Sequence, residues 1–231
     1  MKECYIILKK EIRNFAKRKA MVRWYFWIIV MNSFMLLLPK YDFIEISKNK
    51  ALMCIAFMMF TVLLVPNNLT LDLVGGEKYH KTLETLISSP IDIRSAFLGK
   101  ILFIQLLSFV ALVSITVIDN CLLIAFFQSS FISAGVSMKW IISMYIFIMA
   151  GILLLALIGS YVAFNITNLK TGGYIVSLLD IFLVYFLVNN IRDKNDQYAI
   201  TTALLAYICV FIIAIASVCL MKKSKVMKHI K

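Results

Sequence analysis

Charge is scarce in this chain. Asp, Glu, Lys and Arg make up 16% of its 231 residues, against 62% apolar residues and 17 phenylalanines. A soluble domain of that length rarely sets so few charges beside so many large apolar side chains. The balance points to an all-α polytopic membrane protein. Histidine is nearly missing as well, since His80 and His229 are too few and too far apart to build a site. The five cysteines (Cys4, Cys54, Cys121, Cys209 and Cys219) contain no CxxC and have no histidine at ligand spacing. They read as small buried hydrophobes rather than a disulfide frame or a metal centre.

Catalytic signatures are missing too. Gly99-Lys100 lacks the earlier glycine and the following Ser or Thr of a phosphate-binding loop, and it opens an apolar run. No Ser-His-Asp set, His-Glu-x-x-His run or carboxylate pair stands in an aqueous segment. No catalytic residue, metal ligand or bound cofactor is therefore expected in this chain, and any energised work would draw its energy from another. Residues 1–20 carry charge throughout, with no short apolar core before a small-residue cleavage site, and so do not read as a cleavable signal.

The formal net charge is nevertheless +12. The basic residues gather at the two ends and beside one internal loop, where anionic lipid headgroups would meet them, so a membrane surface is expected as partner and nucleic acid is not. Near the N-terminus Tyr5, Leu8, Ile12 and Phe15 recur at three- and four-residue steps, opposite a basic face. This predicts an amphipathic helix over 1–20 lying in the interface, apolar side down.

Six spans are expected, near Val22–Leu38, Ala51–Val65, Phe97 on toward Ile118 or as far as Phe127, Trp140–Phe164, Gly173–Val188 and Tyr198–Leu220, within a single domain over 1–231. Pro66-Asn67-Asn68 is read as the stop of the second, and Asp119-Asn120 as a break near the outer end of the third. With the N-terminus inside, 18 of the 24 Lys and Arg residues fall on inside segments. That asymmetry predicts a cell-membrane protein with both termini and the 67–97 loop in the cytoplasm.

Within this loop Tyr79, Leu83, Leu86 and Ile87 share one helical face, while Glu77 and Lys81 stand four apart and can pair. Gly75-Gly76 gives a sharp entry and Pro90 a stop. The expected product is a short amphipathic cytoplasmic helix, which either lies on lipid or docks a soluble partner. Elsewhere Asp180 falls in the middle of the fifth span, where a carboxylate should face protein or a wet path, or bind a proton. It reads either as a pathway residue or as a structural hydrogen-bonding acid, with Gln105, Ser114, Ser143 and Thr202 as candidate partners. Gly151, Gly159 and Ser160 supply small surfaces for close helix packing.

The run Glu77-Lys78-Tyr79-His80-Lys81-Thr82-Leu83-Glu84-Thr85-Leu86-Ile87-Ser88-Ser89-Pro90, followed by Gly99-Lys100, resembles the EKE-x-x-TLE-x-LL-x-x-P signature of ABC-2 type permeases, the membrane subunits of ABC exporters. The resemblance implies a coupling helix between the second and third spans, on which Glu77, Lys78, Thr82, Leu83, Glu84 and Pro90 form the surface for an ATP-binding subunit. Lys81 and Leu86 stand on the same helix. Tyr79 replaces a second acid, and His80-Lys81 replaces a smaller step. The implied assembly is a homodimer or heterodimer of permeases joined to separate ATPases, with ATP and Mg on the partner chain. Two other readings stand beside it: a non-transporting membrane immunity or assembly protein, and an ion-coupled transporter that uses Asp180.

Overall fold

A computed structural model describes residues 2–37, 48–70, 72–73, 92–127, 138–165, 174, 177–178, 181 and 196–220. They form an all-helical array of six long helices: α1 (Lys2–Lys17), α2 (Lys19–Leu37), α3 (Lys48–Thr70), α4 (Ile93–Phe127), α5 (Met138–Asn165) and α6 (Asp196–Leu220). Among the described residues two stretches are long and apolar enough to cross a membrane, Arg94–Ala125 in α4 and Ile141–Val162 in α5. The expected fifth span, the 74–91 segment and Asp180 lie outside the described residues, apart from four positions of that span (Tyr174, Ser177, Leu178 and Ile181).

α4 touches all five other helices; α3 packs against α2, α4 and α5, α6 packs mainly on α5, and α1 packs on α4 and α2. The core is aliphatic. Leu63 of α3, Leu112 and Ile115 of α4, and Ile148, Ile152 and Leu155 of α5 are sealed from solvent in one cluster. Leu69, Phe103 and Ile104 anchor a second, toward α1. The outward face of α4 is apolar along its length, with Leu98, Leu102, Leu106, Phe109, Val113 and Val117 exposed at three- and four-residue steps. α6 likewise exposes Leu205, Ile208 and Ile212. An apolar surface this continuous is unusual for a monomer in water and suits contact with lipid tails.

Three sequence expectations change. α3 does not stop at Pro66; it runs on to Thr70, with one further turn at Asp72–Leu73. Proline removes one backbone donor. The carbonyl left without its helical donor is that of Val62, four residues back, and the helix continues across the gap because Val62, Val65 and Leu69 are all buried in the core. Nor does Asp119-Asn120 break α4, whose 35 residues extend about 52 Å at 1.5 Å per residue. α4 also begins earlier than Phe97: Asp92 caps it, its carboxylate accepting from the Arg94 N–H at 3.3 Å and its carbonyl from Ala96 at 3.1 Å.

The third change concerns α1. Its packed face is not Tyr5, Leu8, Ile12 and Phe15 together. Leu8 and Phe15 pack inward beside buried Ile7 and Glu11, whereas Tyr5 and Ile12 are 65% and 43% exposed. On that inward face α1 approaches Gly99 of α4 so closely that a Cβ there would stand 2.9 Å from the Ile7 Cγ2 and 3.0 Å from the Cys4 carbonyl oxygen. Phe15 then meets the rings of Tyr25 and Phe103 edge-on at 6.0 and 5.9 Å.

The helix-packing glycines divide by how much room each leaves. A Cβ at Gly159 would stand 3.0 Å from the Thr70 Cγ2 of α3, whereas one at Gly151 would stand 3.4 Å from a Leu63 methyl, an ordinary contact. Gly159→Ala is expected to lower the unfolding midpoint in detergent, by an amount equivalent to about 1–3 kcal/mol of overpacking. Gly151→Ala should be neutral or gain up to about 1 kcal/mol from helix propensity. Equal midpoints for the two variants would refute this reading of the α3–α5 seam.

Candidate functional site

The residues singled out for coupling (Glu77, Lys78, Lys81, Thr82, Leu83, Glu84, Leu86 and Pro90) lie outside the described residues, but both roots of their segment do not. On the α3 side Arg18 pairs with Asp72 at 2.6 Å, and Lys100 Nζ donates to the Leu73 carbonyl at 2.8 Å. On the α4 side Glu3 Oε2 accepts from the Asp92 N–H at 3.2 Å. α1 thus holds one root near each of its ends, and α4 adds Lys100, which is only 3% exposed. The Arg18–Asp72 pair is half-exposed, so it orients the chain more than it stabilises it. Lys100 is different. Its amine is buried, so its bond to the Leu73 carbonyl is shielded from water.

Deeper in the array a polar knot joins four helices. Asn32 of α2 donates its amide to Asp119 Oδ2 of α4 at 2.7 Å and accepts from the Thr61 hydroxyl of α3 at 2.9 Å. One turn away on the same faces of α3 and α4, Thr116 meets the Met58 sulfur at 3.5 Å and receives the Tyr145 hydroxyl of α5. Asn32, Thr61 and Asp119 are all at most 5% exposed. Polar groups this deep are costly unless bonded to one another, which is why they converge. Sequence reasoning treated Asp119 as the end of a span and did not single out Asn32 or Thr61. The available signal was an asparagine inside the apolar run Val30-Met31-Asn32-Ser33-Phe34.

Of the polar residues named as partners for Asp180, which itself lies outside the described residues, Gln105 donates to the Tyr207 hydroxyl of α6 at 3.1 Å, and Ser143 is buried in α5. Ser177, three residues before Asp180, accepts from the Asn67 amide of α3 at 2.9 Å. Among the described residues no three His, Cys, Asp or Glu side chains converge as a metal would require. No protein-family model matches the chain, and no curated protein matches it either.

Proposed function

We propose that this chain is the permease subunit of an ATP-driven exporter of the ABC-2 type. The observation that carries the reading is the segment 77–90, whose Glu-Lys…Thr-Leu-Glu…Pro pattern falls between two long apolar helices. In this reading six spans form half of a translocation path, both termini face the cytoplasm, and two permease copies join two ATPases that carry ATP and Mg. α1 rests at the interface with its lysines toward anionic headgroups. Glu77, Lys78, Lys81, Thr82, Leu83, Glu84, Leu86 and Pro90 receive the motion of the ATPase. The anchoring of both segment roots to α1 and α4 supports this, because a push on an anchored segment reaches the helices instead of dissipating in a loose loop.

The test is purification of the chain with its native-membrane partners in mild detergent, with ATPase activity read with and without Glu84→Lys. The expected result is a nucleotide-binding subunit whose association or turnover falls with that change, while the variant chain still inserts. Leu83→Asp should act the same way. Full association and transport in either variant would sink the coupling assignment. If no ATPase is recovered under conditions that preserve another transporter complex, a membrane protein that binds a partner and moves nothing becomes the better reading.

A further inference from the structure

We infer that Glu11 of α1 is the counter-charge of Lys100, and that this buried pair is the link through which α1 positions the Leu73 root of segment 77–90. Among the described residues only three charged side chains are buried: Glu11, Lys100 and Asp119. A charge removed from water is costly unless an opposite charge meets it. Asp119 stands on α4 about 28 Å beyond Lys100 at 1.5 Å per residue, out of the lysine's reach. Glu11 is the acid that remains.

The contacts around the two side chains bring them together. Lys100 starts beside Gly99, which lies against Ile7 of α1. It ends on the Leu73 carbonyl at 2.8 Å, next to Asp72, which Arg18 holds at 2.6 Å. The lysine therefore runs alongside α1 from the level of Ile7 to that of Arg18. Glu11 lies between those two residues, one turn after Ile7, and it is only 5% exposed on a helix that packs on α4 and α2. Phe15, one turn further on, continues the same face against Phe103 of α4. Its own helix offers Glu11 no cation, since the positions three and four away are Ile7, Leu8, Asn14 and Phe15. The nearest basic residues of α1, Lys9, Lys10, Arg13 and Lys17, are all exposed.

An ammonium carries three protons, so Lys100 can serve the Leu73 carbonyl and a carboxylate at once. The carboxylate holds the ammonium, and the ammonium holds the root. Glu11 is thus a positioning residue that sets the root without touching it. The Arg18–Asp72 pair beside it is half-exposed and adds little. What this link does in transport rests on the function proposed above; the pair itself does not.

Maleimide labelling of the full chain in lipid nanodiscs, without any partner subunit, tests it. Two thiols are followed by mass spectrometry: native Cys4, half-buried on α1, and one placed by Leu73→Cys, where the side chain is buried and the carbonyl is kept. Glu11→Leu and Lys100→Leu should each speed both thiols by roughly tenfold, because each strands one buried charge. Joining the two substitutions should return Cys4 to within about twofold of its original rate, since an apolar pair can replace a buried ionic one. The thiol at position 73 should stay fast, because its carbonyl has lost the lysine. If a single variant does not fold, the joint variant should still be recovered from membranes as the original is. A joint variant that labels Cys4 as fast as either single, or is recovered no better, would overturn the pair. A Glu11→Leu effect confined to Cys4, or a position-73 thiol that also returns to its original rate in the joint variant, would overturn the positioning of the root. Because no ATPase is present, failure here leaves the transport reading standing, and failure to recover an ATPase leaves this one standing.

Discussion

Asn32→Leu is expected to destabilise the chain by about 1–3 kcal/mol, and Asp119→Leu by a similar amount, whereas the double variant should recover most of the loss. The argument turns on what each single change strands. Asn32 and Asp119 are 2% and 1% exposed, so water cannot replace the 2.7 Å bond between them. Removing the Asn32 amide leaves a buried carboxyl oxygen without that donor, and it also takes the acceptor from the Thr61 hydroxyl. Removing the Asp119 carboxyl leaves the Asn32 N–H facing leucine. Removing both replaces a polar pair with apolar volume in an aliphatic core, a change that is often close to neutral. Thr61 retains the Met58 carbonyl in every variant. The measurement is an unfolding titration of the full chain in mixed micelles, analysed as a double-mutant cycle. Strictly additive single losses would show that the two side chains stand near each other without acting as a pair.

The two residues lie 87 positions apart, which explains why the knot was not legible in the sequence. A single chain read locally shows a buried acid only as an interruption of hydropathy. Asp119 therefore looked like the end of a span, and Asn32 looked like a tolerated polar residue in an apolar run. Pro66 misled in the same manner, since the local rule that proline ends helices is overridden when the residues around it are buried in a core. What depends on composition and run length was legible: an all-helical chain, with two helices among the described residues long and apolar enough to cross a membrane, and the use of Gly159 in close packing. The candidate site divides along the same line. The motif over 77–90 is a property of the sequence and lies outside the described residues, whereas its anchorage by Arg18, Lys100 and Glu3 emerges only when distant helices are brought together.

Gly99→Val should detach α1 from the array while leaving the rest of the fold in place. An added Cβ at Gly99 would stand 2.9 Å from the Ile7 Cγ2, 3.0 Å from the Ile7 Cβ and 3.0 Å from the Cys4 carbonyl oxygen. The first contact could be relieved by turning a side chain, but the Cys4 oxygen belongs to the backbone and can retreat only if the whole helix moves. Overpacking of this kind costs about 1–3 kcal/mol, and valine adds two methyl groups to the clash. As α1 lifts, Glu3 loses the Asp92 N–H and Phe15 loses its edge contact with Phe103. The readout is the rate at which Cys4, half-buried in the docked helix, reacts with a maleimide, followed site by site by mass spectrometry against the unaltered chain. Cys4 should react several-fold faster in the variant. Pairing Gly99→Ala with Ile7→Ala should restore only part of the protection, because the carbonyl contact remains at 3.0 Å after the isoleucine is gone. Full restoration by that pair would mean that side-chain crowding alone sets the distance between α1 and α4, and that the backbone of α1 has room to come closer.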